Sequence, residues 1–288
     1  MRPSELQCAF GKAIEEDVSA RFNQRNFGVK LLKHHEESIN IAIEHYKENE
    51  DVSTLFLIGS VATGENRDNS DLDFVAIVPH EIYLEKKRHH TDCESVFGKC
   101  TYEGGYFDTH FMSIEALREI EASGSEPSRN MFNKAVCLFS DDKEVESLVQ
   151  AIPSFNNLDV NALQFRQYCT MQQGYRYYLN VTKPEGFARY HYVDLFVNSV
   201  YRLILLENRV LFPSMRKLEL YVRSNCANKP EGIVELCEKL LLEQNFSNVL
   251  ELCNQIISLY ENWTTFKLPA ESEFQLVANN FYDPMEAL

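Results

Sequence analysis

A chain of 288 residues that is 44% hydrophobic can bury a sizeable core, and its length favours two domains over one. Its 43 acidic against 28 basic residues leave a net charge of −15, which weighs against a nucleic-acid partner because phosphates are met mainly by Lys and Arg. No apolar run approaches the roughly 20 residues of a membrane helix, and MRPSELQCAFGKAIEEDV has none of a leader's character, so the expected setting is the cytoplasm.

Residues 4–24 place Leu6, Phe10, Ile14 and Val18 at steps of four behind Ser4, the pattern of an amphipathic helix. A second helix is predicted over residues 28–49, with Val29, Leu32, His35, Ile39, Ile43 and Tyr46 on one face. The run VSTLFLI, residues 52–58, reads as a strand buried on both sides. A polar loop follows, then a second strand over residues 71–78, and EIYLEKKRHHTDCESVFG reads as helical. In GGYFDTHFMSI the apolar Phe107, Thr109 and Phe111 alternate with Asp108, His110 and Met112, so this segment is a strand with Asp108 on its polar side. Residues 114–122 read as a helix, SGSEPS as a loop and KAVCLF, residues 134–139, as a last strand.

Beyond PSFNN, residues 153–157, the pattern becomes wholly helical, with segments at about 158–181, 187–209, 214–227, 231–244 and 246–264. An α+β unit therefore precedes a helical bundle. The eight cysteines are scattered without a Cys-x-x-Cys pair and read as reduced, mostly buried thiols. His89, His90, Cys93 and Cys100 offer four zinc-type ligands, but they lack paired knuckle spacing and sit in a charged segment.

The chemistry concentrates in LFLIGSVATGENRDNSDLDFVAIV, residues 55–78. A Gly59-Ser60 turn at a strand end exposes backbone N–H groups and a hydroxyl to a phosphate, and Gly64 keeps the next backbone compact. Asp71 and Asp73, at alternate strand positions, point to one face. Two adjacent carboxylates repel unless a cation lies between them, and hard oxygens select Mg2+. If a neighbouring strand adds Asp108, the three acids can hold two ions about 3.5–4 Å apart, the arrangement used for in-line phosphoryl displacement.

Gly59-Ser60, Gly64, Asp71 and Asp73 at this spacing, between two apolar strands and followed by Asp108, resemble the nucleotidyltransferase superfamily of DNA polymerase beta. They are most similar to its small antibiotic-modifying members, the aminoglycoside and lincosamide nucleotidyltransferases. The resemblance implies a nucleotidyltransferase catalytic domain over residues 51–152, a small mixed sheet with flanking helices. Residues 1–50 would be helices packed on it, and residues 153–288 a helical bundle domain that closes over nucleotide and substrate. It also implies transfer of AMP from ATP, or of another nucleoside monophosphate, to a hydroxyl of a small molecule, with Asp71, Asp73 and Asp108 as metal ligands for two Mg2+ ions. Gly59, Ser60, Gly64, Arg67 and Ser70 are implied on the nucleotide. The run ENRVLFPSMRKLE is similar to a segment that in some relatives faces the triphosphate, and it nominates Arg216 and Lys217.

One departure stands out: where relatives often carry Arg or Lys between Ser60 and Gly64, this chain has Val61, Ala62 and Thr63, leaving Arg67 as the loop's cation. For the general base, Glu103, Glu185, Asp194 and Glu207 all stay open. Two other functions share the fold: modification of a protein, as in toxin–antitoxin nucleotidyltransferases, and nucleotide sensing without turnover. Oligomeric state has no signature in the sequence.

Overall fold

The computed structural model describes residues 31–270, which fall into two compact units that part between Asn157 and Leu158. The helix expected over residues 4–24 lies outside the described residues, as do the first positions of the one expected from Gly28.

The first unit is a five-stranded mixed sheet flanked by helices. In chain order its elements are α1 (Lys33–Lys47), β1 (Thr54–Ile58), α2 (Gly59–Thr63), β2 (Leu72–Ile77), α3 (His80–His89), β3 (Cys93–Phe97), β4 (Tyr106–Met112), α4 (Ile114–Ser123), α5 (Glu126–Asn130), β5 (Val136–Ser140) and α6 (Lys143–Ala151). The strands lie in the order β3-β4-β2-β1-β5. β1 is antiparallel to both β2 and β5, β3 is antiparallel to β4, and β2 and β4 are parallel. Parallel neighbours need a crossover, supplied here by α3 and β3.

Strand alternation sorts the core into two layers. Leu55, Leu57, Leu72, Phe74, Ala76, Phe107 and Phe111 pack under α1 through Ile39, Ala42, Ile43 and Tyr46. The opposite face, with Phe56, Ile58, Val75, Ile77 and Cys137, packs against Leu117 of α4, Phe132, and Val145 and Val149 of α6. Asp73 and Asp108 share this second face, toward its β4 side; Asp73 is the one partly exposed residue of β2. The sheet thus buries its apolar half and leaves its carboxylate half open to solvent.

Helix α5, which starts at Glu126 inside the expected loop SGSEPS, and helix α6 go beyond the sequence reading, and one expected helix is divided. EIYLEKKRHHTDCESVFG is not a single helix: α3 ends at His90, whose left-handed backbone (φ 56°) breaks the helix, and Cys93–Phe97 then forms β3. An edge strand with Cys93, Ser95 and Phe97 exposed carries no apolar run, so the charged helix before it set the local pattern.

The second unit is helical: α7 (Val160–Gln173), continued by a π-helix (Gly174–Val181), then α8 (Gly186–Glu207), a 3-10 turn (Met215–Lys217), α9 (Leu218–Asn225), α10 (Ile233–Leu242) and α11 (Phe246–Trp263). Its core runs through Met171, Phe196, Val200, Ile204, Val222, Ile233, Cys237, Cys253, Ile256 and Tyr260. Helix α8 is apolar on most of its circumference, the pattern of a helix surrounded by others. Asp159 and Asn245 cap α7 and α11 through side-chain oxygens, which fixes where these helices begin. Among the described residues no helix is long and apolar enough to cross a membrane.

Candidate functional site

The site is assembled at the end of β1. There Gly59 takes a left-handed backbone (φ +70°), and a Cβ on it would lie 1.9 Å from Asp73 Oδ2. Only glycine satisfies both conditions. The expected Gly-Ser turn is the first turn of the five-residue helix α2, which Gly64 closes in the left-handed region (φ 79°). The Ser60 carbonyl accepts Glu65 N–H at 2.9 Å and the Thr63 hydroxyl at 3.2 Å, so the chain leaves α2 tightly folded.

Val61 and Ala62 are fully buried in the first unit's core. A basic side chain at either position would strand a charge in apolar surroundings, whereas Thr63 is partly exposed. Lys134 reaches from the turn before β5 to donate to the Thr63 carbonyl (3.4 Å). Nothing in its local sequence marks this lysine.

The loop from Glu65 to Ser70 is held by its own polar groups. Arg67 N–H donates to Ser70 Oγ (2.9 Å) and Ser70 N–H to the Arg67 carbonyl (3.1 Å), so the Ser70 hydroxyl serves the turn. The Arg67 side chain is exposed. From the β3–β4 connection, the Tyr102 hydroxyl donates to the Ser70 carbonyl at 2.5 Å. From α1, His34 Nε2 meets the Asp68 carbonyl (2.8 Å) and His35 Nδ1 accepts Asn66 Nδ2 (3.3 Å). Burial, reinforced by the adjacent His34, lowers the His35 imidazole from 6.5 to about 4, so it is neutral near pH 7.

The register of β2 on β4 sets Asp73 directly beside Asp108, and Asp73 also faces Ile58 on β1. Asp71 precedes β2 by one residue. One ligand oxygen from each of the three lies within 4.8 Å of the others, and all three side chains are partly exposed. Like charges at such separations repel by about 3–4 kcal/mol per pair at an effective dielectric near 20. A hydrogen bond from β4 offsets part of this at Asp71. The Tyr106 hydroxyl donates to Asp71 Oδ2 (2.9 Å), and that bond raises its own phenol above the ordinary tyrosine value. The Tyr106 ring stacks on Phe97 (centroids 5.0 Å apart, planes at 27°).

Further along β4 on the same face, His110 Nδ1 contacts Cys93 Sγ at 3.1 Å. Burial, with Asp92 and Asp108 nearby, pushes the Cys93 thiol up, so it stays protonated. Cys93 thus pairs with His110 across the β3–β4 ladder; among the described residues the three aspartates are the one group of three or more metal-type ligands. Seven cysteines are described, each a thiol outside any disulfide.

The remaining candidates are dispersed. Glu103 is an exposed residue of the β3–β4 connection. Glu185 and Asp194 are exposed residues of the second unit. Glu207, in the same unit, accepts Gln164 Nε2 (2.7 Å), Thr265 Oγ1 (2.6 Å) and Thr265 N–H (3.3 Å), so both its oxygens are engaged in holding the bundle. Arg216 and Lys217 lie on the second unit's 3-10 turn, and their assignment to the triphosphate rests on the sequence resemblance. A cavity of about 770 Å³ beside β5, lined by Lys47, Val52, Phe139 and Glu146 among others, includes none of Asp71, Asp73 and Asp108.

Residues 39–102 match a family model described as a nucleotidyltransferase domain. The match contains Gly59, Ser60, Gly64, Asp71 and Asp73 and stops before Asp108, which parallel strand pairing brings to the same place. No curated protein matches the sequence. Among solved structures, the chain is similar to a nucleotidyltransferase-like protein from Exiguobacterium sibiricum, with 12% identity over 78% of this chain and 74% of that one and a TM-score of 0.47. It is also similar to the spectinomycin adenyltransferase AAD(9) from Enterococcus faecialis with ATP and spectinomycin, with 15% identity, 78% and 98% coverage and a TM-score of 0.31.

Proposed function

We propose, from the premise that residues 39–102 are a nucleotidyltransferase domain, that the chain is an enzyme transferring a nucleoside monophosphate, AMP from ATP, to a hydroxyl of a small molecule. Pyrophosphate is the other product. The observation that carries this reading is the convergence of Asp71, Asp73 and Asp108, with ligand oxygens within 4.8 Å, beside a glycine whose missing side chain makes room for one of them.

Three carboxylates are an all-oxygen, hard donor set, which fits Mg2+ and its preference for a few acidic ligands completed by waters and phosphates. Asp71, Asp73 and Asp108 would hold the ions. When bound, Mg2+ neutralises charge on the triphosphate and lowers the pKa of the attacking hydroxyl. The protein's own task is then mainly positioning. The Gly59 backbone and Ser60 hold the terminal phosphates, and Arg67 and Lys134 supply positive charge on that side. The acceptor approaches over the β4–β3 half of the sheet, because in-line displacement puts the attacking oxygen opposite the departing pyrophosphate. Glu103, on the connection bordering that half, is the first unit's nominee for general base. Free thiols throughout the described residues suit the cytoplasm.

The test is incubation with ATP, Mg2+ and a panel of aminoglycosides and lincosamides, read by mass spectrometry for an adenylyl adduct and by release of pyrophosphate. Asp71→Asn and Asp73→Asn should each lower the rate by at least about 100-fold, as expected when a metal ligand is lost, with an unchanged circular dichroism spectrum. Undiminished turnover in either variant would refute the assignment. Nucleotide binding without an adduct on any acceptor would point to a sensor instead.

A further inference from the structure

Asp73 and Asp108 are locked in place by the β2–β4 ladder, where they are direct neighbours. Asp71 has no such lock: it precedes the first paired residue, Leu72, and closes the polar loop. Two tyrosines from the β3–β4 side grip this loop end. Tyr102 donates to the Ser70 carbonyl (2.5 Å) and Tyr106 to Asp71 Oδ2 (2.9 Å).

The placement of Tyr106 is informative. Its ring lies on the partly open face of the sheet, where water could satisfy the hydroxyl, yet it stacks on Phe97, which is 72% exposed at the end of an edge strand. An exposed phenylalanine there gains little from burial of its own, and its contact fixes the direction in which the Tyr106 hydroxyl points.

We propose that Tyr106 is a positioning residue for the metal site: it occupies one lone pair of Asp71 Oδ2 and thereby fixes the carboxylate's rotation so that its remaining lone pairs face Asp73 and Asp108. The assignment rests on the nucleotidyl-transfer reading, since it gives Asp71 a cation to hold. Phe97 braces the ring. Partners of this kind, hydrogen-bonded to a ligating group, set the orientation of the ligand and cost about 10–100-fold in metal affinity when lost.

The test uses the full chain and Mn2+, a paramagnetic substitute for Mg2+, titrated in the presence of a non-hydrolysable ATP analogue and followed by electron paramagnetic resonance. Tyr106→Phe keeps the ring and its stack and removes only the hydroxyl, so its thermal midpoint should match the wild type while Mn2+ affinity falls about 10-fold or more. In an Asp71→Asn background, which already lacks the anionic acceptor, the same substitution should weaken Mn2+ by less than about 2-fold, because effects transmitted through one shared group are not additive. Wild-type affinity in Tyr106→Phe, or an equal loss in both backgrounds, would overturn the assignment. A wild-type protein that binds no Mn2+ with the nucleotide analogue present would overturn the nucleotidyl-transfer reading beneath it. The two failures are thus distinguishable.

Discussion

Gly59 and Asp73 constrain each other. A Cβ at position 59 would overlap Asp73 Oδ2 at 1.9 Å, and the backbone there is left-handed. Gly59→Ala should therefore cost more than about 2 kcal/mol, combining left-handed strain with displacement of the carboxylate, measured as a lower urea midpoint together with weakened Mn2+ binding. The need for a glycine was legible in the strand-turn-strand pattern, but its reason was not. That reason comes from the pairing of Ile58 with Asp73, a register that only the folded sheet defines. Asp108 was legible through alternation with Phe107 and Thr109, whereas Tyr106 was not: an aromatic residue in a strand looks the same whether it packs in a core or holds a ligand. His35 supplies a pH test. Its folded value of about 4 lies below the ordinary 6.5, so as pH falls the unfolded chain takes up the proton first. Stability from this group is fully present above about pH 6.5 and is lost progressively toward pH 4, by on the order of 2 kcal/mol. His35→Gln should flatten that part of the stability–pH curve in chemical denaturation; an unchanged slope would show that His35 is not its source.

At the scale of elements, buried Arg129 ties together the ends of two helices. Its guanidinium donates to the carbonyls of Glu121 (2.7 Å) in the last turn of α4, of Gly124 (2.9 Å) just after it, and of Ile152 (3.3 Å) and Ser154 (3.4 Å) after α6. Carbonyls at and just beyond helix ends lack intrahelical partners, and leaving buried ones short of donors is costly. Arg129→Met should lower first-unit stability by at least about 3 kcal/mol in urea denaturation, with a loss under about 1 kcal/mol contradicting the role. No short-range pattern announced it, because Arg129 pairs with segments up to 25 residues away. Strand β3 was illegible for a related reason: an exposed edge strand lacks an apolar run, and the helix before it is broken at His90 by a left-handed turn without the glycine that would announce it. The helices of the second unit were easier to read, since long helical segments are a local signal, and the structure adds Asp159 and Asn245 as caps.

At the scale of the whole molecule, the net charge of −15 and the clustered carboxylates set the terms for any nucleotide. A triphosphate approaching such a protein is repelled unless a divalent cation travels with it, so nucleotide affinity and Mg2+ should be inseparable. On the proposed function, Asp71, Asp73 and Asp108 bind nucleotide through metal. The most direct measurement is isothermal titration of a non-hydrolysable ATP analogue into the wild type and Asp73→Asn, each with Mg2+ and again with excess chelator. The expected result is binding to the wild type with Mg2+, at least about 100-fold weaker binding in chelator, and an equally weak Asp73→Asn variant even with Mg2+ present. Equal affinity with and without Mg2+, or full affinity in Asp73→Asn, would contradict it.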